Sequence, residues 1–366
     1  MKKGLKVVVI IVLLVLLGVA GYFFAKEFSK IEVGESQMAT NELENKNQAV
    51  LDDVNEDEEV EVVPEINIFK GDERPIAFMI DNNVNAQPQA SLNSAYMVYE
   101  IIVEGNESRL MALFKGIDAD EVGPIRSSRH YFLNYAMEND AIYAHLGWSP
   151  FAQADIAEYG INNINGQAYD TGKARTSSSL YWRATHKNAP HNAYTNIDSI
   201  LQISAQKGYR TTSDKESVLK YSAEEVNLES EDAVVANTVT IPYASSHKVK
   251  YVYNEELQRY TRYSKGKLMK DETTGEEITT KNIIITFAKN YNIQDSENKG
   301  RQEVETVGEL DGYYITNGKA IEIKCVKESR EAQTTYQDLE GNEIDVNDGN
   351  TWVNICPIDA NVTIEE

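Results

Sequence analysis

The chain has 366 residues, and its 58 acidic side chains against 35 basic ones give a formal net charge of −23. Nucleic-acid binding needs basic patches that neutralise phosphates, so this charge argues against a nucleic-acid partner and against contact with anionic lipid headgroups. The two cysteines form no CxxC pair, which excludes a structural zinc site of that kind, and we predict no metal or cofactor.

The N-terminus carries a membrane signal. Lys2, Lys3 and Lys6 precede an unbroken apolar run over residues 7–25, close to the roughly 20 residues that a spanning helix needs. By the positive-inside rule the N-terminus is cytoplasmic and the main part of the chain is extracellular. We therefore expect a single-pass anchor in the cell membrane. A signal peptide cleaved near residues 18–20 is the open alternative.

Composition divides the rest of the chain. Seven acidic residues crowd positions 52–61 with no basic residue among them, which is typical of a disordered tether. Apolar strands mixed with helices then predict a layered α/β domain, and later runs predict an antiparallel β-rich domain. The predicted fold class is α+β, with a cytoplasmic tip and transmembrane anchor at 1–26, the tether at 27–66, the α/β domain at 67–210, a connection at 211–237 and the β-rich domain at 238–366.

The first domain alternates between apolar runs and helical patterns. The runs that predict strands cover 75–80, 96–103, 109–115 and 141–146, with a hairpin turn at Gly105-Asn106. Helices are predicted from Ile125 to about Glu138, over 149–159, and from the cap Thr195-Asn196 to Gly208.

The second domain is richer in strand signals. Its predicted strands cover 248–253, 259–263, 282–287, 312–316, 320–326 and 351–356. Glycine-containing turns separate them, and Asn317-Gly318 between two such runs is a strong hairpin signal.

The most informative segment runs from Val122 to Tyr131. Gly123-Pro124 forms a turn, and proline suits the first position of a helix, so Arg126, Ser127 and Arg129 are predicted on its first turns. Basic residues there oppose the helix dipole unless an anion binds nearby. We predict a carboxylate or phosphate at this place. A carboxylate of the chain itself, in an internal ion pair, is the alternative.

Two further polar clusters are candidates for the same site. Asp81 and Asn82 follow a buried strand, where α/β proteins commonly bind ligands, although an Asx turn explains them equally. Arg183, His191 and Asn192 lie in a loop before a helix. His191 is a candidate general base or ligand. A loop histidine that bonds the backbone is the alternative.

Carboxylates on a predicted strand complete the candidate set. Glu100 and Glu104 stand four residues apart, hence on one face, as acid–base groups or cation ligands. Alternatively, Glu104 caps the hairpin and pairs with Arg109. His145 lies at a predicted pocket rim. Cys325 and Cys356, on separate predicted strands, are either a disulfide or two buried thiols.

Several motifs together resemble a known family. They are Arg74-Pro75-Ile76-Ala77 through Asp81-Asn82, Ala86-Gln87-Pro88-Gln89, Val98-Tyr99-Glu100, Val103-Glu104-Gly105, Arg109-Leu110-Met111-Ala112, residues 122–129, Pro190-His191-Asn192-Ala193-Tyr194 and Gly349-Asn350-Thr351-Trp352-Val353 with Pro357. These look like the YerB-like family of bacterial lipoproteins. The resemblance implies a two-domain extracytoplasmic protein, with an α/β part followed by a β-rich part. It implies no activity. Here an apolar segment stands where family members often carry a lipid-attachment cysteine.

Three functions remain open at this point. The first is a cell-envelope binding module whose arginines hold an anionic ligand. The second is an envelope enzyme, a hydrolase or a phosphoryl or glycan transferase, acting on a cell-wall or lipid-linked phosphate substrate. The third is a protein-interaction scaffold. The sequence leaves the oligomeric state undecided.

Overall fold

Strands dominate the part of the chain that the computed structural model describes, residues 64–295 and 297–366. Within these residues the α-helices number three: α1 His130–Glu138, α2 Pro150–Glu158 and α3 Ile197–Lys207. Short 3-10 helices lie at Val84–Ala86, Leu92–Ser94, Glu104–Asn106 and Gly166–Ala168.

The strands of the first half are β1 Ile76–Asp81, β2 Met97–Ile102, β3 Ser108–Phe114, β4 Ile142–His145, β5 Asn163–Asn165, β6 Trp182–Arg183, β7 Ala193–Tyr194, β8 Tyr221–Ser222 and β9 Val234–Val235. Those of the second half are β10 Thr238–Ala244, β11 His247–Asn254, β12 Arg259–Ser264, β13 Lys267–Leu268, β14 Thr279–Thr280, β15 Asn282–Ala288, β16 Asn290–Asn292, β17 Gln302–Val304, β18 Gly308–Thr316, β19 Lys319–Lys327, β20 Thr335–Gln337, β21 Val346–Asn347, β22 Thr351–Pro357 and β23 Thr363–Glu365. All six strands predicted in the second half of the chain are confirmed.

One large sheet contains strands from both halves of the chain. Its order is β20-β19-β18-β15-β22-β2-β3-β1-β4-β5, with β9 also beside β19. The late strand β22 lies parallel to β2, with Met97 opposite Thr351 and Ile101 opposite Ile355. Strands β1, β2 and β3 are buried along their whole length, which is why their sequences read as continuous apolar runs rather than alternating ones.

A second sheet packs on the first. Its order is β13-β12-β11-β10-β23, with β14 also beside β12. Strand β10 alternates between buried and half-buried residues, so it turns one face to the core. Val239, Ile241 and Tyr251 from this sheet join the same hydrophobic cluster as Tyr99 and Trp352 of the large sheet.

The predicted α+β fold class is wrong. Strand residues far outnumber helical ones in the described part of the chain, and its three α-helices have only 9, 9 and 11 residues. The predicted layered α/β domain contributes strands β1 to β5 to the shared β-sheet, and β2 pairs there with β22 from the far end of the chain. The β-rich region is also not purely antiparallel, since β22 runs parallel to both β15 and β2.

The structure does not support the predicted transmembrane helix over residues 7–25, which lies outside the described residues, as does nearly all of the predicted tether. None of the helices within residues 64–366 has both the length and the apolar character needed to cross a bilayer.

Helix α3 agrees with its sequence signals. The side chain of Asn196 accepts a hydrogen bond of 2.8 Å from the backbone nitrogen of Ser199, which caps the first turn. Gly208 ends the helix with φ of 69°, in the left-handed region that glycine adopts without steric cost.

Candidate functional site

A polar cleft of about 340 Å³ lies where several predicted site segments converge. We call it the arginine cleft. Its walls come from the end of β1, the turn between β2 and β3, the segment before α1, the loop before β7 and the loop between β16 and β17. The residues that line it are Asp81, Asn83, Val103, Glu104, Glu107, Ser108, Arg109, Arg126, Arg129, His191 and Lys299.

The segment before α1 is extended, which corrects the predicted helix start. Helix α1 begins at His130, with Arg129 as its N-cap residue in an extended conformation. The backbone nitrogen of Arg126 donates to the carbonyl oxygen of Met79 over 2.8 Å, and that of Ile125 donates to the carbonyl oxygen of Ala193 over 2.6 Å. These bonds to other segments replace the helical ones. Arg126 is therefore not on a helix, although it faces the predicted site.

Gly123 allows this segment to lie close against β7. A Cβ atom there would come within 2.7 Å of the Tyr194 ring and 2.9 Å of the carbonyl oxygen of Ala193. Such distances are far inside van der Waals contact, so the segment needs glycine at this point.

Glu104 organises one side of the cleft. Its Oε1 atom alone contacts two guanidinium nitrogens of Arg129, Nε at 2.8 Å and Nη2 at 2.7 Å. Arg109 Nη2 is 4.0 Å from Glu104 Oε2, and Arg109 also donates to the carbonyl oxygen of Ser127. The prediction that Glu104 and Glu100 share a strand face is wrong, since β2 ends at Ile102.

Charges in the cleft perturb its groups. Burial alone would raise the pKa of Glu104, but the guanidinium groups of Arg129 and Arg109 outweigh burial and lower it. Glu104 thus stays ionised in neutral solution and acts as a charge partner rather than a proton donor. Burial, with the neighbouring positive charge of Arg129, lowers the pKa of Arg109 to about 10. Clustered cations of this kind favour an anion.

Asp81 organises the other side. Its Oδ2 atom lies 2.7 Å from His191 Nδ1 and 3.2 Å from Arg126 Nε, while Oδ1 accepts a bond of 3.1 Å from the backbone nitrogen of Asn83. The aspartate is nearly buried, with a side-chain exposure of 5%, against 26% for Arg126. Asp81 therefore orients both the histidine and the arginine toward the cleft.

Positive charge exceeds negative charge in the cleft. Glu107 forms an ion pair with Lys265, in which Glu107 Oε2 lies 2.6 Å from Lys265 Nζ. Lys299 is likewise paired, with Glu297 at 3.3 Å. The remaining carboxylates, those of Asp81 and Glu104, face three arginines: Arg109, Arg126 and Arg129. Arg126 approaches Asp81 through Nε at 3.2 Å. Its two terminal nitrogens make no hydrogen bond among the described residues, so they can bind a ligand.

Asn82 and Glu100 lie in a buried network instead of in the cleft. Asn82 Nδ2 donates to Glu100 Oε1 over 3.0 Å and to Ser108 Oγ over 2.9 Å. Glu100 pairs with Arg262, and both side chains are fully buried. His247 Nε2 lies 3.5 Å from Glu100 Oε1. The network links the two sheets.

Three other predicted site residues also lie elsewhere. His145 Nδ1 is 2.8 Å from the carbonyl oxygen of Gly147, and burial lowers its pKa to about 4, so the ring is neutral. Arg183 pairs with Asp170 at 2.6 Å. Asn192 Nδ2 donates to the carbonyl oxygen of Ala184 over 3.1 Å. These residues hold loops in place, as does Ser127, whose hydroxyl donates to the Leu146 carbonyl over 2.9 Å.

The two cysteines are free and buried. Cys325 lies on β19 and Cys356 on β22, with β18 and β15 between them in the sheet. Neighbouring strands are about 4.8 Å apart, so these residues are far beyond the reach of a disulfide. The predicted alternative of two buried thiols is the arrangement that the structure has.

The sequence interpretation missed two charged residues of the cleft, one lysine and one glutamate. Lys299 reaches it from the loop between β16 and β17, and Glu107 from the turn before β3. Lys299-Gly300-Arg301 is a basic cluster in an acidic region, and Arg301 Nε lies 3.8 Å from Glu104 Oε1. That local charge contrast is a signal that points to Lys299, whereas Glu107 has no comparable signal.

Comparison with known proteins places this geometry in a family. Residues 62–210 match the N-terminal domain, and residues 239–353 the C-terminal domain, of the family described as "Protein of unknown function (DUF3048)". The chain is 30% identical over 298 residues to "Putative lipoprotein YerB" of Bacillus subtilis (strain 168), covering 78% of this chain and 81% of the relative. It is also similar to the crystal structure of YerB protein from Bacillus subtilis, with a TM-score of 0.70 and 28% identity over 82% of this chain and 99% of that chain. The chain therefore belongs to the DUF3048 family of YerB-like proteins.

Proposed function

We propose that this protein is an extracytoplasmic binding module whose arginine cleft holds the anionic group of a cell-envelope ligand. The observation that carries the proposal is the convergence of Arg109, Arg126 and Arg129 with His191 and Lys299 in one cleft. These side chains come from four separate chain segments, so their convergence is a property of the fold rather than of local sequence.

The geometry favours a small anionic group. Guanidinium groups bind carboxylate and phosphate oxygens through paired hydrogen bonds. Asp81 and Glu104 hold the arginines in place before any ligand arrives, which reduces the entropy lost on binding. A cleft of about 340 Å³ is at the small end of ligand sites. It suits a phosphate, a sugar phosphate or a peptide carboxylate at the end of a larger molecule.

The cellular location follows from the relative. The printed name of the relative is "Putative lipoprotein YerB", and lipoproteins are attached to a membrane by lipid. We extend the extracytoplasmic, membrane-anchored location to this chain. Ligands available there include wall peptides with free carboxylates and lipid-linked phosphates.

Thermal unfolding of the full-length chain in neutral detergent tests the proposal. The panel is inorganic phosphate, pyrophosphate, sugar phosphates and short wall peptides. A ligand at 100 times its Kd adds about 2.7 kcal/mol, or roughly 4 °C for a folded unit of about 300 residues. The shift should disappear in Arg126→Ala. It should persist in Arg175→Ala, a matched control whose guanidinium pairs with Asp120 away from the cleft. Absence of any shift across the panel would leave the interaction-scaffold function as the better account.

One contact favours a second candidate, an envelope hydrolase. The bond of 2.7 Å between Asp81 and His191 Nδ1 leaves Nε2 as the proton acceptor, as when a carboxylate orients a general base. That nitrogen would take a proton from a water attacking the bound phosphate ester and return it to the leaving oxygen. His191→Gln should then abolish product release from a sugar phosphate while ligand-induced stabilisation persists. If the parent chain binds the sugar phosphate but releases no product from it, the hydrolase function is ruled out and only the binding function remains.

A further inference from the structure

A second cavity of the described residues differs from the arginine cleft in shape and charge. It is a groove of about 880 Å³ formed by the segment before β9, strands β18 and β19, the loop after β20 and the C-terminal strand β23. We call it the acidic groove. Its floor is partly apolar, with Leu228, Ile321, Ile344 and Val362 among the lining residues, so it offers contact area as well as charge.

Charge in this groove has one sign. Seven of its twenty lining residues are acidic, and none is lysine, arginine or histidine. Asp345 pairs with Lys220 at 2.8 Å. The other six have no ion-pair partner among the described residues: Glu229, Asp232, Glu322, Asp338, Glu340 and Glu343. Most carboxylates of the arginine cleft, by contrast, are paired.

The sheet edge at the groove is incomplete. Strand β9 pairs with Lys319 and Ala320 of β19, and β20 pairs with β19 from Lys324 to Val326. Both lie on the side of β19 opposite to β18. Between them no described strand pairs with Ile321, Glu322 or Ile323. In this gap of three residues, about 10 Å long, Ile323 is buried, whereas Ile321 and Glu322 are accessible and have no strand neighbour on this side.

We propose that the acidic groove docks an extended, basic segment of a partner protein, which adds a short strand to the open edge of β19. Main-chain hydrogen bonds to an exposed edge supply affinity in this mode of recognition, and side chains at alternate positions supply specificity. Lysine or arginine side chains would meet the unpaired carboxylates, and aliphatic side chains between them would meet Ile321 and Leu339.

The observations favour a peptide over a metal ion. Within the described part of the chain, no three His, Cys, Asp or Glu side chains are grouped so that they could hold a metal. The carboxylates are instead spread along the groove, as an extended polycation requires. Exposed apolar residues at its rim, Val234 at 50% and Leu339 at 55% exposure, also match a partner with apolar side chains.

The test is fluorescence anisotropy with a labelled peptide of eight residues that alternates lysine and valine. The titrated proteins are the full-length chain, a groove variant carrying E229Q, D232N, E340Q and E343Q, and a control variant carrying E158Q, E255Q, E256Q and E276Q. Both variants lose four exposed negative charges outside any ion pair, so they change net charge equally and are expected to fold. A second peptide carries N-methyl groups on alternate amides, which keeps its charge and prevents strand pairing.

We expect the parent and control proteins to bind the first peptide with the same Kd within about twofold, and the groove variant at least tenfold more weakly. The N-methylated peptide should also bind the parent at least tenfold more weakly. If both variants bind the first peptide equally weakly, net charge alone explains the effect and the proposal is overturned. A parent chain that does not bind this peptide would also overturn it. Equal binding of the two peptides would overturn strand addition.

Discussion

The buried ion pair between Glu100 and Arg262 yields the sharpest stability prediction. It joins β2 of the large sheet to β12 of the second sheet, and neither side chain is exposed. Arg262 also donates through Nε to Tyr251 over 3.2 Å and lies 4.1 Å from the Trp352 ring centroid. Burial would raise the pKa of Glu100, but Arg262 and His247 lower it, so the carboxylate is charged in the folded state.

Arg262→Met removes the main partner of a buried carboxylate and keeps most of the side-chain volume. Breaking a buried pair by removing one member costs about 3–5 kcal/mol, because the remaining charge is left without compensation. For a unit of about 300 residues this loss lowers Tm by roughly 5–8 °C. Glu100→Gln combined with Arg262→Met removes both charges and should cost less than Arg262→Met alone.

Urea unfolding followed by circular dichroism measures these free energies. Arg175→Met serves as the matched control, because Arg175 is 39% exposed in its pair with Asp120 and surface pairs contribute about 0–1 kcal/mol. Equal losses in Arg262→Met and Arg175→Met would refute the reasoning. A double variant less stable than Arg262→Met would also refute it, since the cost would then come from packing and not from charge.

Other features give further predictions. Burial would lower the pKa of His247, but the carboxylates of Glu100 and Glu107, each 3.5 Å from a ring nitrogen, raise it. The contribution of His247 to stability is therefore present below about pH 6.5 and lost as the pH rises through the folded-state pKa. His247→Gln should flatten the dependence of the unfolding free energy on pH in that range, and an unchanged slope would contradict it. Burial raises the pKa of both Cys325 and Cys356 to about 12, so neither should react with a thiol reagent in the folded chain and both should react in urea. Gly123→Ala should cost about 1–3 kcal/mol in thermal unfolding through its clash with Tyr194, whereas Gly160→Ala, which meets no atom within 4 Å, should cost less.

Strands were predictable because their residues carry the signal locally. The apolar run of β1, the hairpin at Asn317-Gly318 and the cap of α3 at Asn196 each depend on neighbouring residues alone. The insertion of β22 between β15 and β2 was not predictable, since it pairs strands from opposite halves of the chain. That insertion merges the two predicted regions into one sheet and accounts for the wrong fold class.

Site residues show the same division. Asp81, Arg126, Arg129 and His191 do meet in one cleft, as their polar clusters at segment ends suggest. Glu100 is also a polar residue in a predicted strand. Periodicity predicts which residues share a face of that strand, but it does not predict whether that face lies in the core. The segment before α1 is held by bonds from distant backbone, and these override the local preference of Pro124 for a helix start.

Calorimetric titration of the anion with the largest thermal shift tests the central claim, that the arginine cleft binds an anionic group. The titrated proteins are the full-length chain, Arg126→Ala and Arg175→Ala. We predict one site per chain, an unchanged Kd within about twofold for Arg175→Ala, and a Kd at least tenfold higher for Arg126→Ala, equivalent to about 1.4 kcal/mol. Equal affinities of Arg126→Ala and Arg175→Ala would contradict the claim, because the anion would then bind elsewhere.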